Sequence, residues 1–136
     1  MIHRPHRTRT RCSVAAATAS HRCRIELGPR RANLPEDALV AAAGSCVAVT
    51  IAALADREQP PLHGVSVKAD RIVGRRPDGR FGFVRIEQIV EVTTDADYED
   101  AARALVAKAE DSCLVTVSLD LPVQTTVDVR AVIEAA

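Results

Sequence analysis

The chain has 136 residues, enough for one domain whose core needs no disulfide staples. Its 18 basic and 18 acidic residues cancel, which removes the electrostatic footing of a general nucleic-acid binder. Two Phe, one Tyr and no Trp leave Val, Ile, Leu and Ala to build the core, with no aromatic platform for stacking bases.

The charge is unevenly spread. Every acidic residue lies at Glu26 or later, while residues 1–24 carry six Arg, at 4, 7, 9, 11, 22 and 24. Residues 1–11 read as a disordered basic arm and 12–136 as a single domain. Only a modest apolar run, 14–19, follows the arm, so export is not expected. A mitochondrial-type presequence or a misplaced start codon would give the same composition. The four cysteines, 12, 23, 46 and 113, include no C-x-x-C pair and suggest no disulfide framework. The expected setting is therefore a reducing one, the cytoplasm, where a working thiol is redox-active or nucleophilic.

Residues 12–19 and 22–27 suggest two short strands joined around Ser20-His21, with Cys23, Ile25 and Leu27 on one face. Gly28-Pro29-Arg30-Arg31 turns the chain into the dominant element, a helix over 32–58. Asn33 can cap it, Pro35 suits its first turn, Glu36 completes a capping box, and Glu36 and Asp37 match the positive end of the dipole. Residues 38–55 carry no charge. A helix apolar on every side is membrane-bound or buried on most faces. This one is rich in Ala and Gly rather than Leu and Phe, which favours the centre of a soluble fold wrapped by a sheet or a second subunit, with no membrane involved. Cys46 sits at its middle.

Pro60-Pro61 ends the helix. Val65, Val67 and Ala69 alternate with polar residues as a half-covered strand, and Pro77-Asp78-Gly79 signals a hairpin turn. The return strand runs over 81–93. Strands this long extend past one small core and suggest wrapping around a partner chain. A second helix is predicted over 97–111, burying Ala101, Leu105, Val106 and Ala109. Residues 112–119 read as a short helix or a strand, and 123–130 as a terminal strand. The order is α+β, with helices and strands segregated.

For chemistry, the exclusions come first. Gly44-Ser45-Cys46 lies within a helix pattern, so neither a phosphate loop nor a nucleophile elbow fits. The cysteines and His3, His6, His21 and His63 lack zinc-ligand spacing. A Cys–His hydrolase would have only His21 or His63 to activate Cys46. No cofactor is expected. What survives is a cysteine activated by charge: a guanidinium from another segment could reach both Glu36 and Cys46, ten residues apart on broadly one helix face. By pattern alone Cys46 reads equally as a small buried hydrophobe, Glu36 as a cap and Cys113 as structural.

The run Asn33-Leu34-Pro35-Glu36-Asp37-Ala38-Leu39-Val40-Ala41-Ala42-Ala43-Gly44-Ser45-Cys46 resembles the start of the central helix in the OsmC/Ohr family of peroxide-handling proteins, where a Pro-Glu pair precedes the peroxidatic cysteine by ten residues. Glu110-Asp111-Ser112-Cys113 is similar to the family's second cysteine site, with Leu114 where the common pattern has Pro. The resemblance covers roughly residues 12–130. It implies an intertwined homodimer, with long helices back to back inside antiparallel sheets. It also implies thiol-dependent reduction of a small hydroperoxide through a Cys46 sulfenic acid and a Cys46–Cys113 disulfide, which a dithiol reductant then reopens. The family's N-terminal hairpin arginine corresponds to Arg22, with Arg24 as the alternative, held by Glu36. The missing Cys-Pro and the scarcity of aromatics motivate a second reading, a non-catalytic dimer that binds a small hydrophobic or thiol ligand.

Overall fold

The computed structural model describes residues 7–13 and 22–27 as backbone, and 35–58 and 60–133 in full. Its elements are β1 (Arg7–Ser13), β2 (Arg22–Leu27), α1 (Pro35–Glu58), β3 (Leu62–Arg75), β4 (Phe81–Asp95), α2 (Glu99–Ser112), α3 (Leu114–Ser118) and β5 (Val123–Val132), with a 3-10 turn at Ala96–Tyr98. The five strands form one sheet in the order β2-β1-β3-β4-β5.

α1 begins at Pro35, where a missing N–H costs nothing, with Glu36 and Asp37 in its first turn and Arg57 in its last. The expected cap, Asn33, lies outside the described residues. One side of the helix, including Val40, Ala43, Gly44, Val47, Ala48 and Ile51, is buried. Its length and composition would also suit a membrane span, but half of the apolar stretch is buried within the fold. The opposite side stays apolar and open: Ala38, Leu39, Ala42, Val49 and Ala53 are exposed.

β3 and β4 are long, at 14 and 15 residues, and pair antiparallel around the expected turn. Gly79 takes a φ of 83° there, and its N–H donates to the Arg76 carbonyl at 2.9 Å; only glycine adopts that backbone at no steric cost. Alternation turns Val65, Val67, Ala69 and Arg71 of β3 inward, with Ile86, Gln88, Val90, Val92 and Thr94 of β4. Val47, Ile51, Val67, Val90 and Val106 are fully buried at the centre of the core.

Three expectations need correcting. The sheet is not wholly antiparallel: β5 runs parallel to β4, with Val90 opposite Val127. The reason is the α2–α3 crossover, which returns the chain to the end of the sheet where β4 began. The first strand starts at Arg7, inside the stretch read as a basic arm, and spans Arg7–Ser13; residues 14–21 lie outside the described residues. On α2, Ala102 is buried in place of Ala101, which is exposed. Of the two readings left open for residues 112–119, the short helix is the one found: Ser112 closes α2 and Leu114–Ser118 form α3.

Candidate functional site

Cys46 lies halfway along α1, at the edge between its buried side and its open stripe, and is half-buried. Cys113 is the single residue between α2 and α3, with an extended backbone (φ −70°, ψ 110°) and no exposed surface. Burial of Leu105, Val106 and Ala109 anchors α2, and α3 is laid back against α1. The Cys113 carbonyl accepts from the Val117 N–H at 3.0 Å and the Thr116 hydroxyl at 3.3 Å, which holds the turn. Both cysteines are free thiols, and Cys46 packs against the core cluster that holds Cys113. Sixty-seven residues apart in sequence, they meet because α2 doubles back across α1.

The two sulfurs have unlike environments. Burial pushes the Cys46 thiol up, but four donors outweigh it: the Val115 N–H, the Cys113 side chain, the Thr50 hydroxyl and the Leu114 N–H. The balance puts Cys46 below the ordinary thiol value. Thr50 stands one turn beyond Cys46 and donates to its carbonyl at 2.7 Å; with one hydroxyl hydrogen it serves either that oxygen or a thiolate at a given moment. Cys113 goes the other way. Burial raises it, the Thr116 hydroxyl and N–H offset part of the rise, and a charged Cys46 beside it adds to it.

The groups that lower the Cys46 thiol are therefore main-chain amides, a thiol and a hydroxyl. Glu36 is exposed on the first turn of α1. The buried acid of that turn is its neighbour Asp37, in an ion pair with Arg71 of β3, and each residue is only 6% exposed. Nine residues along the helix put this pair about 14 Å from Cys46 along the axis. Arg22 opens β2, opposite Ser13, and Arg24 lies opposite Arg11; the backbone of this hairpin runs against α1. His63 Nε2 is 2.7 Å from Asp95 Oδ1 rather than beside Cys46, and His21 lies outside the described residues. Among the described residues no group of three or more His, Cys, Asp or Glu is placed to hold a metal ion. A cavity of about 390 Å³ beside α3, lined by Gln88, Glu110, Asp111, Thr116 and Thr125 among others, includes neither sulfur in its wall.

Sequence reasoning missed three features. Thr50 had a signal, its i+4 spacing from Cys46. Arg71 had one too, as the only charged residue on the inward side of an otherwise apolar alternation. The amides of Leu114 and Val115 had none, because an N–H is common to every residue but proline and only placement makes it a donor.

The fold and the paired thiols define a class: an α+β protein with a long central helix that carries a partly exposed cysteine beside a buried one. The family model described as OsmC-like protein matches residues 28–128, and the chain belongs to that family. Its fold is similar to that of an OsmC-like protein of unknown function from Vibrio cholerae (TM-score 0.63, 20% identity, 68% of this chain and 62% of that one). It is also similar to an OsmC-like protein from Mycoplasma pneumoniae (TM-score 0.63, 16% identity, 96% and 99%). An organic hydroperoxide resistance protein from Elizabethkingia anophelis shares the fold as well (TM-score 0.62, 18% identity, 76% and 71%). The chain thus spans a little under two thirds of the Vibrio cholerae protein. No protein of curated function matches it. Membership of this family supports a general redox or antioxidant role.

Proposed function

We propose that this protein is a thiol-dependent peroxidase acting on small hydroperoxides, with Cys46 as the attacking thiol and Cys113 as the resolving one. The observation that carries the reading is a pair of free thiols of unequal exposure and opposite pKa tendency, one packed against the cluster that holds the other. A peroxide reaches half-buried Cys46 before fully buried Cys113. The Cys46 thiolate attacks one oxygen of the O–O bond, an alkoxide leaves and takes a proton, and the sulfur becomes a sulfenic acid. Cys113, as thiolate, attacks that sulfur, water is lost, and a disulfide forms. A dithiol reductant then returns two electrons and two protons through a mixed disulfide. Arg22, or Arg24 in its place, with Glu36 to hold it, is the proposed cation that steadies the departing alkoxide; closeness of the β1–β2 backbone to α1 supports that assignment. No cofactor or metal enters this scheme, and a reducing compartment such as the cytoplasm suits it.

The deciding experiment adds one equivalent of an organic hydroperoxide to the reduced protein and takes an intact mass. A loss of about 2 Da, mapped to Cys46–Cys113, is expected. Unchanged thiols would remove the peroxidase reading and leave a ligand-binding role for the fold.

The same proposal includes a homodimer. The exposed apolar stripe of α1 (Ala38, Ala42, Val49, Ala53) has small side chains at helical spacing, which lets a second α1 approach closely. Light scattering should give twice the chain mass for the wild type, and A42E should shift the population toward monomer. A wild type that stays monomeric at high concentration refutes the dimer.

A further inference from the structure

We propose that the cavity beside α3 is a binding site for a small aliphatic ammonium ion, an amine of a few carbons in its protonated form. Neither thiol borders this cavity, so its occupancy does not depend on peroxide chemistry.

The wall offers oxygen atoms and no positive charge. Gln88, Glu110 and Asp111 line it, and none of the lining residues is Lys, Arg or His. Glu110 and Asp111 belong to the last turn of α2, which has no basic residue. Two carboxylates at the negative end of a helix dipole add to its field instead of answering it. Neither is ion-paired among the described residues, and the nearby Lys108 is taken by Glu58 of α1.

Gln88, an inward residue of β4, is only 2% exposed. Its Nε2 donates to Thr125 Oγ1 at 2.9 Å, while its buried Oε1 has no hydrogen-bond partner among the described residues. Native folds seldom leave a buried carbonyl unpaired. One that lines a cavity together with two unpaired carboxylates calls for a donor from outside the chain.

The donor that fits is an ammonium. It has three N–H groups, one for each of the three acceptor side chains, and the charge that the field attracts. A calcium ion would want about six to eight oxygens, and no group of three or more His, Cys, Asp or Glu among the described residues is placed to hold a metal. At about 390 Å³ the cavity has the size of a small-molecule site, roughly 300–1,000 Å³. Val117, Leu121 and Val123 give it an apolar side for a short hydrocarbon chain.

The test titrates hexylammonium chloride into isotope-labelled protein at neutral pH, with the backbone amides of Thr116 and Thr125 as NMR reporters. Saturation at about 1 mM or below is expected, and added salt should weaken it by screening the carboxylates. Hexanol and hexanoate keep the chain and change the head, and each should bind at least about tenfold more weakly. Q88L removes the unpaired oxygen with little change in volume, and E110Q/D111N removes both charges. Each should weaken hexylammonium by about tenfold or more and leave hexanol unmoved. Equal binding of the three probes, tighter binding of calcium than of hexylammonium, or no saturation at all overturns the proposal. If Q88L fails to fold, E110Q/D111N decides alone, and an unchanged affinity in that variant is a refutation.

Discussion

Cys46→Ser should abolish peroxide turnover, by roughly 10³-fold or more, because a hydroxyl ionises at far higher pH than a thiol and its oxygen is the weaker nucleophile. Cys113→Ser should behave differently. It should consume one equivalent of hydroperoxide, gain about 16 Da as the sulfenic acid, and then stall or over-oxidise. Peroxide consumption measured against both variants separates the two roles, and equal losses in the first turnover would contradict the division of labour. The two steps also differ in pH dependence. Cys46 is held below the ordinary thiol value by its amide, thiol and hydroxyl donors, so peroxide attack should persist to lower pH than an ordinary thiol allows and fade as pH drops through that lowered value. Cys113 is raised by burial, so disulfide closure should speed up as pH rises above neutral. Oxidation of Cys46 removes the neighbouring negative charge and relieves part of that rise. Rapid-mixing measurements at several pH values would resolve the two phases, and a closure rate that falls with rising pH would contradict the scheme.

Asp37→Ala should cost about 3–5 kcal/mol of stability, because it strands the Arg71 guanidinium in the core without its counter-charge. Arg71→Met should cost a similar amount by leaving the Asp37 carboxylate buried alone. The double exchange to apolar residues should recover most of either loss, since a buried ion pair is worth little beyond an apolar pair of the same volume. Urea unfolding at one fixed protein concentration measures all three. Penalties below about 1 kcal/mol for both single variants would mean that water reaches the pair. The location gives these residues a structural weight that Glu36, exposed one position earlier, does not have in this chain. Asp37–Arg71 ties the start of α1 to the middle of the β3–β4 hairpin and thereby fixes where along the sheet Cys46 comes to rest.

Much of this architecture is legible residue by residue. The uncharged run 38–55 between an acidic first turn and Arg57 specifies one long buried helix, because no other element can satisfy so apolar a stretch. The Pro-Asp-Gly turn specifies the hairpin, because Gly79 supplies the positive φ that the turn requires. The ten-residue interval from Glu36 to Cys46 and the acidic helix end before Cys113 point to the family that the 28–128 match then establishes. Local pattern is less informative at the short elements. Residues 114–118 have no decisive period, and the β5 alternation is the same whether its neighbour runs parallel or antiparallel.

Taken alone, then, the sequence determined the long helix, the hairpin and the family, since periodicity, turn chemistry and spacing are properties of neighbouring residues. Only the tertiary structure decided that Cys46 packs against the cluster that holds Cys113, that Asp37 rather than Glu36 is the buried acid, and that α3 lies against α1. Those facts depend on how far α2 doubles back and how α1 is rotated on the sheet. The packing of the whole core sets both, and no single segment encodes either.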